Sequence, residues 1–167
     1  MKKEKFLEGV QNWNNHLWLL YPALEATTGD VIELGLGHGS TQQLHDYCED
    51  KRKLYSFDYV AEWVDKFKHL ETDTHKLFHA PNWDDVHKNY PNPDVILIDH
   101  SPGERRWIDI ELYANTAKII VIHDSEPSAT GYMLDKIWPL FKYRVDFESP
   151  GAWATAVSNF VNLKDIM

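Results

Sequence analysis

Short apolar runs rich in β-branched residues alternate with helical patterns along most of the chain, from about Asp30 to about Phe141. Two of these runs, VILI and IIVI, are continuously apolar, which is typical of central strands that helices cover on both faces. Strands that alternate with helices form right-handed βαβ units in a parallel sheet. The alternation therefore predicts a doubly wound α/β fold.

The two ends of the chain extend this pattern. After the fifth run, GYMLDKIWPLF predicts another helix, and YRVDFES, the turn SPGA and WATAVSNF predict an antiparallel hairpin that closes the sheet. Residues 1–29 predict a helical lead-in that breaks at Pro22. Since no linker interrupts residues 1–167, we expect one domain.

Charge and cysteine content narrow the class of protein. The formal net charge of −9 and the lack of a Lys/Arg stripe argue against a nucleic-acid partner. A single cysteine excludes an internal disulfide, and neither a signal-peptide core nor an apolar run of membrane-spanning length is present. We therefore expect a cytoplasmic protein without a membrane partner, whose C-terminal hairpin could pair with a second copy in a homo-oligomer.

The first strand leads into the segment VIELGLGHGST, which carries Gly35, Gly37 and Gly39 on alternate positions. In open α/β sheets, ligands bind outside the carboxyl ends of the strands. The dinucleotide fingerprint G-x-G-x-x-G would place its third glycine at Ser40, so this loop departs from it. Because tight turns also require glycine for backbone reasons, the triplet alone does not identify a ligand.

Two carboxylates beside this loop indicate the kind of ligand. Glu33 stands two positions before Gly35, where it would repel a pyrophosphate and attract a cationic amino acid. Asp58 ends the second strand, where a carboxylate can accept both hydroxyls of a ribose, although a helix cap is an alternative role.

The pattern E-x-G-x-G-x-G, followed by an acidic residue at the end of the next strand, resembles the class I S-adenosylmethionine-dependent methyltransferases. The resemblance spans about Asp30 to Phe160 and implies a Rossmann-like, seven-stranded sheet with S-adenosylmethionine as cofactor. It places the glycine loop at the methionine part of the cofactor and HAPNWDD beside the adenine, where Trp83 fits core packing equally well. The implied cofactor-binding residues are Glu33, Gly35, Gly37, Gly39, Ser40, Asp58, Asn82, Trp83 and Asp99.

Acidic residues and histidines also follow the fourth and fifth strands, in IDHSPGERRW and IHDSEP. If these strands are neighbours, the carboxylates of Asp99 and Asp124 converge. Two close, buried carboxylates require a proton, a basic partner or a cation. An oxygen-rich set of this kind suits Mg²⁺ or Ca²⁺.

These segments resemble the metal-dependent O-methyltransferases of the catechol O-methyltransferase type. That resemblance implies a divalent cation on Asp99, Asp124 and Ser125, with the serine in place of the family's asparagine, and O-methylation of a small molecule or sugar. The family's lysine base would stand at Pro102. We therefore expect His100 or His123, together with Asp99, to serve in catalysis, because histidine titrates near neutrality.

Three alternatives stay open. The chain could be a catalytically silent S-adenosylmethionine-binding module or accessory subunit. It could hold iron on His100, His123 and Asp124, although adjacent residues of a strand point to opposite faces. The lead-in segment NWNNHLW either packs on the sheet edge or folds over the cofactor, which would bring Trp13 and His16 into the acceptor pocket.

Overall fold

A computed structural model describes all 167 residues, and they form one seven-stranded sheet. The strands are β1 (Val31–Leu34), β2 (Leu54–Asp58), β3 (His75–His79), β4 (Val95–Ile98), β5 (Ile119–His123), β6 (Tyr143–Ser149) and β7 (Ala152–Ser158). Their order is β3-β2-β1-β4-β5-β7-β6. β1 to β5 are parallel, and the β6–β7 hairpin is antiparallel, which confirms the predicted Rossmann-like sheet.

The strand order reverses between β1 and β4, and the parallel register brings the residues at the carboxyl ends of the central strands into line. Leu34 lies opposite Ile98, and Ile98 lies opposite Ile122. The next residues of these three strands, Gly35, Asp99 and His123, therefore lie side by side at the edge where ligands bind in such sheets.

Helices cover both faces of the sheet. Side chains of β1 that point to one face pack under the first helices, while Ile32 and its counterparts on β4 and β5 pack under the later ones. The helices are α1 (Lys3–Phe6), α2 (Leu17–Glu25), α3 (Thr41–Cys48), α4 (Ala61–Phe67), α5 (Asp84–Asn89) and α6 (Arg106–Tyr113). None of them combines the length and apolar character that a membrane crossing requires.

The predicted break at Pro22 is wrong, because α2 runs through this proline from Leu17 to Glu25. A proline inside a helix removes one hydrogen bond. The helix itself completely buries three of its leucines, Leu17, Leu20 and Leu24. The apolar area that they remove from water offsets the loss of the hydrogen bond.

The helix predicted over residues 131–141 is also wrong. Three 3₁₀ turns replace it, at Thr130–Tyr132, Leu134–Lys136 and Trp138–Leu140. Met133 interrupts the run in the left-handed conformation, with φ of 51°. Pro139 lies among the first residues of the third turn, where its missing N–H costs no hydrogen bond, whereas a continuous helix would need that donor.

Candidate functional site

The glycine loop is anchored from below by a buried carboxyl group. Glu33, on β1, has no exposed surface and accepts hydrogen bonds from the hydroxyls of Ser40 (2.6 Å) and Thr41 (3.0 Å) at the start of α3. Burial raises the pKa of Glu33 to about 7, although these hydrogen bonds oppose the rise. Glu33 and Ser40, both predicted to bind cofactor, therefore lie beneath the loop and hold its shape.

We expect Glu33 to make the free energy of unfolding depend on pH. Its pKa is higher in the folded protein than in the unfolded chain, so its contribution is complete below about pH 4.5 and is lost as the pH rises through 7. A shift of this size corresponds to roughly 3 kcal/mol between pH 4.5 and pH 8. Urea unfolding should show that Glu33→Gln flattens this dependence.

The matched control is Glu62→Gln, which changes an exposed glutamate of α4. This variant should retain the wild-type pH profile. If Glu33→Gln also retains it, the carboxyl group of Glu33 is ionised in the folded protein and the buried, neutral form is excluded.

Asp58, at the end of β2, bridges the glycine loop and the next turn. Its Oδ2 accepts the N–H of Leu36 at 3.0 Å, and its Oδ1 accepts the N–H of Val60 at 2.8 Å. Burial raises the pKa of Asp58 by more than these hydrogen bonds lower it. Each carboxylate oxygen keeps a second lone pair. Asp58 does not cap α4, which begins after Val60 without a side-chain cap, and its free lone pairs leave the predicted role as a ribose acceptor open.

The two neighbouring residues predicted beside the adenine differ in the exposure of their side chains. Asn82 is exposed and lines a pocket of about 490 Å³ together with Phe57, Phe78 and Tyr90. Trp83 is instead a buried core residue that packs against His100, with tilted rings whose centroids lie 4.5 Å apart. Core packing, the alternative role for Trp83, is what the structure shows.

The ends of β4 and β5 meet on the face that α2 covers. His123 Nδ1 lies 3.2 Å from Asp99 Oδ1 and 3.6 Å from Asp124 Oδ1. The Arg106 guanidinium lies 3.1 Å from Asp99 and 3.5 Å from Asp124. The two carboxylates that were expected to converge thus do so, and the arginine of α6 is their basic partner.

These contacts shift two ionisation equilibria in opposite directions. Burial alone would raise the pKa of Asp99, but the hydrogen bond from His123 and the charges of His123 and Arg106 hold it below its usual value. Burial alone would lower the pKa of His123, but the hydrogen bond to Asp99 and the charges of Asp99 and Asp124 raise it. Asp99 and His123 therefore form an ion pair at pH values between their two pKa values.

The structure contradicts the catalytic role predicted for His100. Its side chain has no exposed surface, and its Nε2 lies 3.0 Å from Asp109 of α6, on the opposite face from Asp99. Adjacent residues at the end of β4 point to opposite faces, so only one of them can reach the ligand side. The iron set of His100, His123 and Asp124 is consequently not assembled.

The predicted cation ligands are only partly brought together. Asp99 and Asp124 approach each other around Arg106, whereas the hydroxyl of Ser125 is buried and lies 2.7 Å from that of Thr155 on β7. The serine is thus occupied by a neighbouring strand, and the ligand set Asp99, Asp124 and Ser125 is not formed in this conformation.

The lead-in packs on the carboxyl edge of the sheet, which brings Trp13 and His16 close to the glycine loop and to the end of β5. A side chain at Gly39 would lie 2.9 Å from the ring of Trp13. His16, buried at the start of α2, faces His123 with ring centroids 4.6 Å apart. The side chain of His16 thereby comes close to both Asp99 and His123: one possible metal-ligand atom from each of the three residues lies within 4.8 Å of those of the other two.

Comparisons with known proteins identify the fold. A scan of protein-family models and a search of curated proteins find no match. Cofactor-bound Rv0187 from MTB has a TM-score of 0.69 at 15% identity, over 92% of this chain and 83% of that one. The O-methyltransferase TomG from Streptomyces achromogenes, solved with SAM, has a TM-score of 0.67 at 10% identity, over 93% and 86%.

Spermidine synthase from Thermotoga maritima is also similar, with a TM-score of 0.67 at 15% identity, over 93% of this chain and 62% of that one. The chain therefore has the fold of class I S-adenosylmethionine-dependent methyltransferases. The sequence identities are low, and the names of these proteins describe different reactions. The structural similarity therefore establishes the fold of this chain but not its reaction.

Proposed function

We propose that this chain is a methyltransferase that uses S-adenosylmethionine. The observation that carries the proposal is the open space over Gly37. A side chain there would meet only the backbone nitrogen of Gly39, at 3.9 Å, and the backbone of Gly37 does not require glycine. The close approach of a ligand to the backbone accounts for a glycine that the fold itself does not need.

Neighbouring groups suit the separate parts of this cofactor. Asp58 contacts the loop through Leu36 and retains lone pairs for ribose hydroxyls. Asn82 lines the pocket beside the ends of β2 and β3, which would take the adenine. On the other side of the loop, the backbone of Asp99 touches Gly35, so this residue could supply a negative charge for the cationic methionine end.

We propose an oxygen of a small molecule or sugar as the methyl acceptor. Asp99 fixes His123 through Nδ1, and His123 Nε2 is buried without a hydrogen-bond partner. An acceptor hydroxyl would pass its proton to Nε2 while its oxygen forms the new C–O bond. The C–S bond breaks as that bond forms, and its electron pair returns to the sulfur to give S-adenosylhomocysteine. Trp13 and His16 close this edge, which favours a small acceptor.

Two observations favour a second candidate function, a cofactor-binding module without methyl transfer. Arg106 lies close to both carboxylates at the acceptor edge, and Pro102 stands where the resemblance would place the lysine base. An assay for S-adenosylhomocysteine released in the presence of catechols and sugars separates the two functions. Acceptor-dependent release supports the enzyme, and cofactor binding without any release supports the module.

The variant Gly37→Ala tests the cofactor site directly. We expect it to melt like the wild type without ligand, because its Cβ enters open space, and to lose the stabilisation by S-adenosylhomocysteine. For the wild type, a ligand at a hundred times its dissociation constant adds about 2.7 kcal/mol. Differential scanning fluorimetry with S-adenosylmethionine, S-adenosylhomocysteine and NAD measures the shifts.

Gly131→Ala is the matched control, since a side chain there likewise enters open space and meets nothing within 4 Å, but lies away from the glycine loop. This variant should keep the full shift with both sulfur compounds. A wild-type protein that responds to NAD and to neither sulfur compound would show that the cofactor is a different one.

A further inference from the structure

Three side chains from distant parts of the sequence form one cluster above the carboxyl edge of the sheet. His16 comes from the start of α2, Asp99 follows β4, and His123 ends β5. A single ligand atom from each lies within 4.8 Å of the other two. Two imidazoles and one carboxylate with open positions are a ligand set that divalent transition metals use in proteins.

The histidines of this cluster lack the partners that buried polar groups normally have. His16 is 1% exposed, and neither of its ring nitrogens makes a hydrogen bond of normal geometry. His123 Nε2 is also buried and without a partner. Leaving a buried polar atom unpaired costs about 1–3 kcal/mol, so such atoms in native proteins require an explanation. A bound ion would satisfy both rings at once.

Charge and access also favour an ion at this place. The carboxylate side chains remain partly exposed, 26% for Asp99 and 31% for Asp124, which leaves an entry path. With His123 neutral, as metal binding requires, the two carboxylates outweigh the single positive charge of Arg106, so the cluster can accept a dication.

We propose that His16, Asp99 and His123 bind a divalent transition-metal ion that prefers imidazole ligands, such as Zn²⁺ or Fe²⁺. Metal–ligand bonds of about 2 Å would draw the three ligand atoms to roughly 3.3 Å from one another. This set replaces the oxygen ligands expected for Mg²⁺, because Ser125 is held by Thr155.

The metal site does not depend on the proposed methyl transfer, because binding is measured without cofactor or acceptor. If both proposals hold, His123 is a metal ligand rather than the base. The ion held by these three residues would then supply the Lewis-acid chemistry that makes an acceptor hydroxyl more acidic. Failure of metal binding leaves the cofactor test at Gly37 unaffected, and the reverse is also true.

Titration of the complete chain with Co²⁺, followed by d–d absorption, tests the site. We expect one ion per chain, displacement by Zn²⁺, and no displacement by an equal concentration of Mg²⁺. His16→Gln and Asp99→Asn should each weaken Co²⁺ binding at least tenfold. His45→Gln is the matched control, because it removes a ring from the chain's other close histidine pair, His45 and His75, whose Nδ1 atoms lie 3.1 Å apart.

His16 is fully buried, so a measurement on the wild type guards against a variant that fails to fold. X-ray absorption of the Zn²⁺-loaded protein should show two imidazole ligands together with oxygen. An ion bound only by oxygen, Co²⁺ binding that is lost in His45→Gln but kept in His16→Gln, or no Co²⁺ binding by the wild type would each overturn the proposal.

Discussion

Replacing Arg106 by methionine is expected to lower the free energy of unfolding by about 3–5 kcal/mol, the usual cost of removing one partner from a buried ion pair. Arg106 is almost completely buried, and its guanidinium donates to the carbonyls of His100 and His123 and to the carboxylate of Asp99. Methionine fills much of the volume but donates nothing. The variant would leave buried carbonyls and a carboxylate without donors at the edge where β4 and β5 end.

Urea unfolding measures this loss, with Arg144→Met as the matched control. Arg144 lies on the β6 edge strand, where it pairs with Asp146 at 2.9 Å and is one-third exposed. Exposed ion pairs contribute roughly 0–1 kcal/mol, so this variant should unfold close to the wild type. Equal losses in the two variants would mean that Arg106 is solvated in solution and does not organise the acceptor edge.

The fold could be predicted from the sequence because its signals are local. The continuously apolar runs VILI and IIVI became β4 and β5 at the centre of the sheet, with every residue of both buried. The hairpin was equally visible in YRVDFES and WATAVSNF. The errors fell where tertiary packing decides the local conformation, as at Pro22 within α2 and at Met133 between the 3₁₀ turns.

The site was harder to predict because strand register decides which neighbours meet. The sequence predicts that the carboxylates of Asp99 and Asp124 converge, and they do, but each contacts Arg106 and His123 and the two are not paired across the strands. The register instead sets Ile98 opposite Ile122, so the next residues along the two strands, Asp99 and His123, come together. Alignment of the two apolar runs would have shown this, and alternation would have placed His100 on the other face.

His16 shows the limit of sequence reasoning. Its position in NWNNHLW carries no motif, and its contact with His123 arises only because the lead-in packs on the sheet edge. The sequence offered His16 only within one of two alternatives for the lead-in, because a polar residue at the start of an apolar helix is usually satisfied locally. That both its ring nitrogens lack partners becomes visible only in three dimensions.

Replacing Gly35 by alanine should produce the other large loss of stability, because two separate costs meet at this residue. Its φ of 97° lies in a region that side chains rarely adopt, which costs about 1–3 kcal/mol. A Cβ would also lie 2.5 Å from the carbonyl oxygen of Asp99, so backbone must move, at a further cost of roughly 1–3 kcal/mol. Urea unfolding should therefore give a total between about 2 and 6 kcal/mol.

Gly151→Ala separates these two costs. Gly151, in the β6–β7 turn, has a nearly identical φ of 94°, and a side chain there meets nothing within 4 Å. Its variant reports the conformational cost alone, so the excess loss in Gly35→Ala measures how tightly the glycine loop presses on the end of β4. Because that contact sets Asp99 beside the loop, a variant that still folds should also bind S-adenosylhomocysteine more weakly, whereas Gly151→Ala should bind it normally. Equal losses of stability in the two variants would mean that the loop and the end of β4 are not in contact in solution, and that the proposed cofactor site is assembled differently.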